Sequence, residues 1–222
     1  MSFKELPIMP DKSKGVLLFY PYVSKKSSSN INKKLKGRWL GQGPMVDKFE
    51  KEFKRKFAKK NSVIAVGSGT DSLHLAYILS GIKKGDEVIT TIFTCTATNI
   101  PLLYMGAKIK FADVDKDTMN ISVESVKKLI TKKTKAIVCV HYGGLPCDMD
   151  ELSKIAKKHN IPIIEDGAQS FGGKKSDLSS NRLTGIVDNI IRTQLFSMLI
   201  KRWAMSRSIS MKYTSIRVSD RP

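Results

Sequence analysis

Short apolar runs alternate with amphipathic helical patterns through the middle of this chain, and this alternation limits its fold more than any other feature. Runs that are apolar throughout fit strands buried on both faces, whereas apolar residues repeating every three or four positions fit surface helices. We therefore predict an α/β fold whose mostly parallel sheet carries helices on both faces. Strands are predicted at Val63–Val66, Glu87–Thr91, Lys108–Ala112, Ala136–Val140 and Ile161–Ile164, and helices at Val46–Phe57, Thr70–Leu79, Thr96–Tyr104 and Val123–Ile130.

The same pattern divides the chain into three predicted segments. Residues 1–43 are irregular and contain several prolines, residues 44–189 carry the alternation, and residues 190–222 have no clean helical or strand period. Within the middle segment, Asp148 and Glu151 have the spacing of a capping box that opens a further helix. We expect one α/β domain over residues 44–189, followed by a basic tail that does not pack with it.

The chain has 222 residues and a net charge of +19, which raises nucleic-acid binding as one interpretation. The basic residues are spread along the whole chain, and residues 190–222 contain seven of them against one acid. No helix-turn-helix pattern and no alternation of aromatic and basic residues accompanies the charge. Lysine-rich solvated surfaces therefore explain the charge better, and nucleic acid is not an expected partner.

Nothing in the sequence indicates export or membrane insertion. No apolar run approaches membrane-spanning length, and the N-terminus lacks the apolar stretch of a signal peptide. Cys95, Cys139 and Cys147 are odd in number and form no CxxC pair, so we interpret them as reduced thiols. These features predict a cytoplasmic protein. A metal site is not expected, because His74 and His159 lie on predicted helices without partner ligands.

A glycine-containing turn between the first predicted strand and the following helix is the first candidate site. Residues 66–72 read Val-Gly-Ser-Gly-Thr-Asp-Ser. Glycines let the backbone approach an anion closely, and a helix N-terminus offers unpaired N–H groups and a favourable dipole. The segment predicts either a phosphate site or a tight turn with a threonine cap, and the spacing alone does not separate the two.

Two common phosphate loops fit this segment poorly. In a dinucleotide-binding fold, a third glycine would stand at Ser72 and an acidic residue would end the second strand. Asp86 and Glu87 instead lie at the start of that strand, and Thr91 closes it. A Walker A loop is excluded because the chain has no Gly-Lys-Ser/Thr sequence.

The second candidate site follows the last predicted strand. Residues 163–172 read Ile-Ile-Glu-Asp-Gly-Ala-Gln-Ser-Phe-Gly, which places Asp166 at the carboxyl end of a buried strand, where ligands bind in open α/β sheets. Its carboxylate either caps the loop or faces a cationic atom of a ligand. His141 also follows a strand, and a turn residue with satisfied hydrogen bonds is the simpler interpretation of it.

Taken together, these motifs resemble the DegT/StrS aminotransferases, which are fold-type I enzymes that use pyridoxal 5′-phosphate (PLP) to aminate nucleotide-linked keto sugars. The resemblance runs from about residue 35 to residue 190 and implies the large domain of a fold-type I PLP transferase in truncated form. The motifs that carry it, in the family's order, are Trp39-Leu40-Gly41-Gln42-Gly43-Pro44, Gly67–Ala76, Gly85–Ile89, Gly106-Ala107, Asp113-Val114-Asp115, His141-Tyr142-Gly143 and Glu165–Gly172.

The resemblance implies a cofactor, PLP, and the residues that hold it. Gly69, Thr70 and Asp71 correspond to the family's phosphate-binding loop. Asp166 corresponds to the acid that pairs with the pyridine nitrogen, and Gln169 to a residue against the ring or near its phenolic oxygen. The implied partners are glutamate as amino donor, a nucleotide-linked keto sugar as acceptor, and a second copy of the chain in a homodimer.

Two positions depart from the family pattern. Cys95 stands where family members commonly have an aromatic residue that stacks on the cofactor ring. Lys201 is the candidate for the catalytic lysine that bonds to the cofactor. The family places that lysine at the end of a motif like Ser-Phe-Tyr-Ala-Asn-Lys before a glycine-rich stretch, whereas Lys201 follows Ser197 by four residues and precedes no such stretch.

A shifted reading frame is one explanation of this region. Codons for Phe196–Arg202 read from one base earlier permit Phe-Tyr-Ala-Asn-Lys-Thr, although that frame excludes serine before it. A natural short variant is the other explanation. The sequence therefore leaves three hypotheses for function. The first is PLP-dependent transamination of a nucleotide-linked keto sugar, and the second is a catalytically inactive truncated or frameshifted remnant or a PLP-binding regulatory subunit. The third is a basic nucleic-acid-binding module, which steeply salt-dependent DNA binding would favour.

Overall fold

A computed structural model describes residues 25–37, 41–58, 61–170 and 190–192. The chain divides into two units, Met1–Phe49 and Glu50–Pro222. The helices are α1 (Lys25–Leu35), α2 (Pro44–Phe57), α3 (Gly69–Leu79), α4 (Thr96–Tyr104), α5 (Val123–Leu129) and α6 (Met149–His159), and the strands are β1 (Glu87–Thr91), β2 (Lys108–Ala112), β3 (Thr134–Val140), β4 (Ile163–Asp166) and β5 (Ile190–Arg192).

The five strands form one sheet in the order β2-β1-β3-β4-β5. The first four are parallel to their neighbours, whereas β5 runs antiparallel to β4, with Ile164 opposite Ile191. The prediction of an α/β fold with a mostly parallel sheet is therefore confirmed. Strand β4 lies between β3 and β5, so Ile163, Ile164 and Glu165 are paired on both sides.

Both faces of the sheet are covered, because the strands supply apolar side chains in both directions. On one face Val88, Val138 and Ile164 pack against α3 and α4. On the other face Ile89 and Ile137 pack against α5 and α6. Each helix between parallel strands runs back across the sheet, so its N-terminus lies near the carboxyl ends of the strands.

One predicted strand is wrong. Residues 63–66 form neither helix nor strand and join no ladder with the strands that the structure describes. The N–H of Ala65 donates instead to Glu50 Oε1 at 2.8 Å, and Ile64 is 61% exposed. A short apolar run predicts a strand only if a neighbour pairs with it, and the run itself contains no information on that neighbour.

The expectation that the N-terminal segment is irregular is wrong for α1, whose two apolar residues, Ile31 and Leu35, are too few to display a helical period. The predicted segment boundaries at residues 43 and 189 stay predictions, and most of the basic tail lies outside the described residues. Its first three residues nevertheless form β5, a strand that the lack of periodicity after Asn189 did not indicate. Three residues are too few to display a period of two. Among the described helices, none combines the length and the apolar character needed to cross a membrane.

Helix α6 begins at the predicted cap, since the Asp148 side chain accepts from the N–H of Glu151 at 3.2 Å. We expect Asp148→Ala to lower the free energy of unfolding by about 1 kcal/mol, because that N–H loses its acceptor. Urea unfolding monitored by circular dichroism measures the change. Asp148→Asn retains an oxygen acceptor, so its free energy of unfolding should stay close to that of the wild type. An equal loss of stability in both variants would mean that the charge of Asp148, and not its hydrogen bond to Glu151, stabilises the helix.

Candidate active site

The loops that follow β1, β3 and β4 meet at one edge of the sheet. These three strands are neighbours and parallel, so their carboxyl ends lie side by side, which is where open α/β sheets bind ligands. The residues there are Phe93–Thr94 after β1, His141–Gly144 after β3 and Asp166–Ser170 at the end of β4. The structure thus brings together two segments that the sequence analysis singled out, the turn at His141 and the loop that begins at Asp166.

Asp166 is the buried acid of this edge, with a residue exposure of 7%. Its Oδ2 accepts from the Thr98 hydroxyl at 2.7 Å and its Oδ1 from the N–H of Ala168 at 3.1 Å. Within the part of the chain that the structure describes, no lysine, arginine or histidine nitrogen lies within 4 Å of this carboxylate. A buried carboxylate held by neutral donors suits a cationic ligand atom.

Thr98 connects Asp166 to helix α4 and is itself fully buried. The Tyr77 hydroxyl donates to the Thr98 carbonyl at 2.7 Å. Burial, and then the charge of Asp166, raise the pKa of Tyr77 far above its ordinary value, so that the phenol keeps its proton and stays a donor. Through these bonds α3, α4 and β4 are joined directly beneath the site.

The N-terminus of α3 is built as a capped glycine turn. The Ser68 side chain accepts from the N–H of Asp71 at 3.1 Å, and a Cβ on Gly67 would stand 3.1 Å from Asp71 Oδ2. The predicted cap is therefore serine and not threonine. Because the N–H of Asp71 is already bonded, the N–H groups of Gly69 and Thr70 are those that helix geometry leaves without an intrahelical partner.

Gln169 is held by the turn after β3. The N–H of Gly143 donates to Gln169 Oε1 at 2.6 Å. Gly144 has φ of +85°, and a Cβ there would come within 3.1 Å of the Gln169 carbonyl oxygen. A side chain at position 144 would be strained on both grounds, so the two glycines allow the loops after β3 and β4 to approach each other.

Sequence reasoning missed an aromatic pair at this edge. Phe93 and Tyr142, which follow β1 and β3, have ring centroids 4.5 Å apart at an interplanar angle of 43°. Cys95, two residues after Phe93, is exposed. The adjacency of the two strand ends could have indicated the pair, but the strand order is not encoded in local periodicity.

His141 is fully buried and its hydrogen bonds are satisfied, as the simpler interpretation expected. Its Nε2 lies 3.2 Å from Glu165 Oε2, and its Nδ1 accepts from the N–H of Cys147 at 3.2 Å. This acceptor role leaves the ring proton on Nε2, facing Glu165. The pair lies among the residues packed against α5 and α6, on the opposite face of β4 from Asp166.

Lys201 lies outside the described residues, so its predicted role stays a prediction. His74 and His159 lie on α3 and α6, and the described residues include no group of three or more histidine, cysteine or acidic side chains that could hold a metal ion. Of the predicted cofactor residues, the structure describes the buried acid Asp166, the capped helix N-terminus at Gly69–Asp71 and the amide of Gln169.

Comparisons with known proteins agree with this fold. A model of the DegT/DnrJ/EryC1/StrS aminotransferase family matches residues 21–191. GDP-perosamine synthase of Escherichia coli O157:H7 is 39% identical over 165 residues, which are 72% of this chain and 44% of that protein. The spore coat polysaccharide biosynthesis protein SpsC of Bacillus subtilis strain 168 is 39% identical over 150 residues, 68% of this chain and 38% of that protein.

A similar solved structure is that of GDP-4-keto-6-deoxymannose-3-dehydratase with a trapped PLP-glutamate geminal diamine. It is 29% identical with a TM-score of 0.68, and the match covers 75% of this chain and 44% of that one. The chain thus spans about two fifths of the length of the curated relatives it matches. The match to the family model includes both candidate segments. This chain therefore belongs to the DegT/DnrJ/EryC1/StrS aminotransferase family.

Proposed function

We propose that the edge formed by β1, β3 and β4 binds PLP, and that it serves the transfer of an amino group from glutamate to a nucleotide-linked keto sugar. The observation that carries the proposal is Asp166. This carboxylate is buried, accepts only neutral donors among the described residues, and stands at the carboxyl end of β4, an interior strand that runs parallel to β3. Such a group stabilises a protonated ring nitrogen opposite it.

When bound, PLP supplies a ring that accepts the electron pair left on carbon when a bond to the amino donor's α-carbon breaks. Asp166 would keep a proton on the pyridine nitrogen, which increases the capacity of the ring to accept that pair. Thr98 and the N–H of Ala168 hold both carboxylate oxygens in place for this task. The residues present therefore fit the cofactor that the family implies.

For the phosphate, we propose the N-terminus of α3. The N–H groups of Gly69 and Thr70 and the helix dipole favour an anion there. Asp71, predicted as a third contact, has its N–H bonded to Ser68. We therefore propose that Asp71 holds the turn in shape while Gly69 and Thr70 contact the phosphate.

Gln169 is proposed to lie against the cofactor ring. Because its Oε1 accepts from the N–H of Gly143, its Nε2 is the end available to donate toward the phenolic oxygen of the ring. The same bond sets the direction of the amide, which otherwise could be turned by half a rotation. Gly143 thus fixes which end of Gln169 faces the ligand.

The names of two relatives support the substrates. One of them makes GDP-perosamine, and the dehydratase structure holds PLP joined to glutamate. We propose the same two classes for this chain, a nucleotide-linked keto sugar and glutamate, together with assembly into a homodimer. A cytoplasmic setting accords with the free thiols of Cys139 and Cys147.

The alternative is that the chain is a truncated or frameshifted remnant, which binds PLP but does not catalyse transamination. The two hypotheses share the residues of the cofactor site and differ in whether Lys201 works as the catalytic lysine. Binding and turnover therefore require separate measurements.

Binding is tested with pyridoxamine phosphate, which has no aldehyde and cannot react with the many surface lysines. Isothermal titration should give saturable binding, and pyridoxamine without the phosphate should bind at least about tenfold more weakly, because charge-assisted hydrogen bonds at the N-terminus of α3 are lost. Inorganic phosphate should compete. Equal affinity for both amines, or no binding of either, would contradict the proposed function.

A further inference from the structure

Thr98 is the residue of this edge to which neither the sequence motifs nor the family comparison drew attention. It lies in the first turn of α4 and is fully buried. Its hydroxyl donates to Asp166 Oδ2 at 2.7 Å, across 68 positions of sequence. The distance is an ordinary one for a hydroxyl donor and an oxygen acceptor, and the acceptor is a carboxylate, to which hydrogen bonds are stronger than to neutral groups.

The direction of the neighbouring bond follows from this one. Thr94 Oγ1 and Thr98 Oγ1 are 2.8 Å apart. A hydroxyl has one proton, and that of Thr98 is directed to Asp166, so Thr94 must be the donor. The order of donation is Thr94 to Thr98 to Asp166, and it ends on the carboxylate.

The position of Thr98 is fixed from three directions. Thr94 donates to its hydroxyl, Tyr77 donates to its carbonyl, and its β-branched side chain has few rotamers available in a helix. A hydroxyl held in this way cannot follow Asp166 if the carboxylate rotates. Any rotation of the carboxylate would therefore break the 2.7 Å bond.

We propose that Thr98 is a positioning residue that fixes the plane of the Asp166 carboxylate for contact with the cofactor's ring nitrogen. The inference rests on the proposed function and adds to it a residue that does not touch the cofactor. Oδ2 accepts from Thr98 and Oδ1 accepts from the N–H of Ala168, so the orientation of the carboxylate is fixed. Each oxygen still has a lone pair with which it can accept a further hydrogen bond. Thr98 acts only through the ring nitrogen contact, and not on the phosphate or the remainder of the ring.

The test compares Thr98→Val, which keeps the shape and removes the hydroxyl, with Thr98→Ser, which keeps the hydroxyl. The matched control is Thr90→Val. Thr90 is equally buried, and its hydroxyl also donates to a residue of α4, Asn99 Oδ1 at 3.1 Å, but it does not contact Asp166. The probes are pyridoxamine phosphate and its carbocyclic analogue, in which a C–H replaces the ring nitrogen. Isothermal titration gives both dissociation constants for every variant.

We expect Thr98→Val to bind pyridoxamine phosphate about tenfold more weakly than the wild type, because the hydrogen bond that orients a charged group is lost. Its affinity for the carbocyclic analogue should equal that of the wild type. Thr98→Ser and Thr90→Val should both bind pyridoxamine phosphate within about twofold of the wild type.

Three results would overturn the proposal. Equal weakening for both probes would show that Thr98 only supports packing, and unchanged affinity in Thr98→Val would show that Asp166 needs no positioning by it. Absence of binding to the wild type would refute the proposed function, and this inference with it. If Thr98→Val does not fold, Thr98→Ala replaces it. Thr98→Ala removes the same hydroxyl with a smaller side chain, and its affinities for the two probes are compared in the same way.

Discussion

Asp166→Ala is expected to weaken the binding of pyridoxamine phosphate by about 10- to 150-fold. The substitution removes a hydrogen bond between a carboxylate and a cationic ring nitrogen, and bonds to charged groups contribute about 1.5–3 kcal/mol. It also leaves the buried hydroxyl of Thr98 without its acceptor, so circular dichroism must first confirm that the variant is folded. Isothermal titration against the wild type then gives the loss of affinity.

The matched control is Asp148→Ala, which removes an aspartate that caps a helix and touches no proposed cofactor contact. It should bind pyridoxamine phosphate as the wild type does. Asp166→Asn keeps the volume and one oxygen acceptor but loses the charge, and it should resemble Asp166→Ala. Wild-type affinity in Asp166→Ala would refute the assignment of this acid to the ring nitrogen.

Mixed with PLP and glutamate, the chain by itself is expected to yield the pyridoxamine form no faster than free PLP does. The reaction requires a base about 3 Å from the carbon that exchanges its proton, and small displacements of such a group cost orders of magnitude in rate. Lys201 is out of register with the family motif by one residue, and residues 202–222 contain no glycine. Absorbance spectra recorded over time measure the conversion.

Lys201→Ala separates the possible outcomes of that experiment. If the wild type converts PLP at the background rate, the variant should do the same while binding pyridoxamine phosphate equally well. Conversion far above background that disappears in Lys201→Ala would show that Lys201 is a working catalytic lysine. In that case the reading-frame explanation of residues 196–202 would be wrong.

The fold could be predicted from sequence wherever a local pattern is sufficient. Most strands of the parallel sheet are short apolar runs and their helices have clear apolar periods. The predicted end of the last parallel strand, Ile164, lies two residues from the end of β4. The segment 63–66 and β5 were not predicted correctly, because each depends on a pairing partner. Helix α1 was not predicted either, because its sequence is almost entirely polar. Extended backbone becomes a strand or a coil according to what lies beside it.

For the proposed site, the sequence predicts Asp166 and the N-terminus of α3, because an acid at a strand end and a glycine turn before a helix are local signals. It did not identify Thr98, whose contact with Asp166 spans two elements far apart in sequence. Nor did it identify the Phe93–Tyr142 pair, which depends on β1 and β3 being neighbours although β2 comes between them along the chain. Those contacts depend on the strand order and on packing between distant elements, which local sequence patterns do not specify.

The two acids at the end of β4 perform separate tasks because adjacent side chains of a strand point to opposite faces. Asp166 bonds to Thr98 on the face covered by α4, while Glu165 bonds to His141 on the face covered by α6. Deleting or inserting one residue within β4 would exchange these faces, sending the longer acid toward the proposed cofactor site and the shorter one toward α5 and α6. The order of the Glu-Asp dipeptide is therefore part of the site's chemistry, and reversing it would preserve composition, charge and hydropathy while disrupting both hydrogen-bond networks.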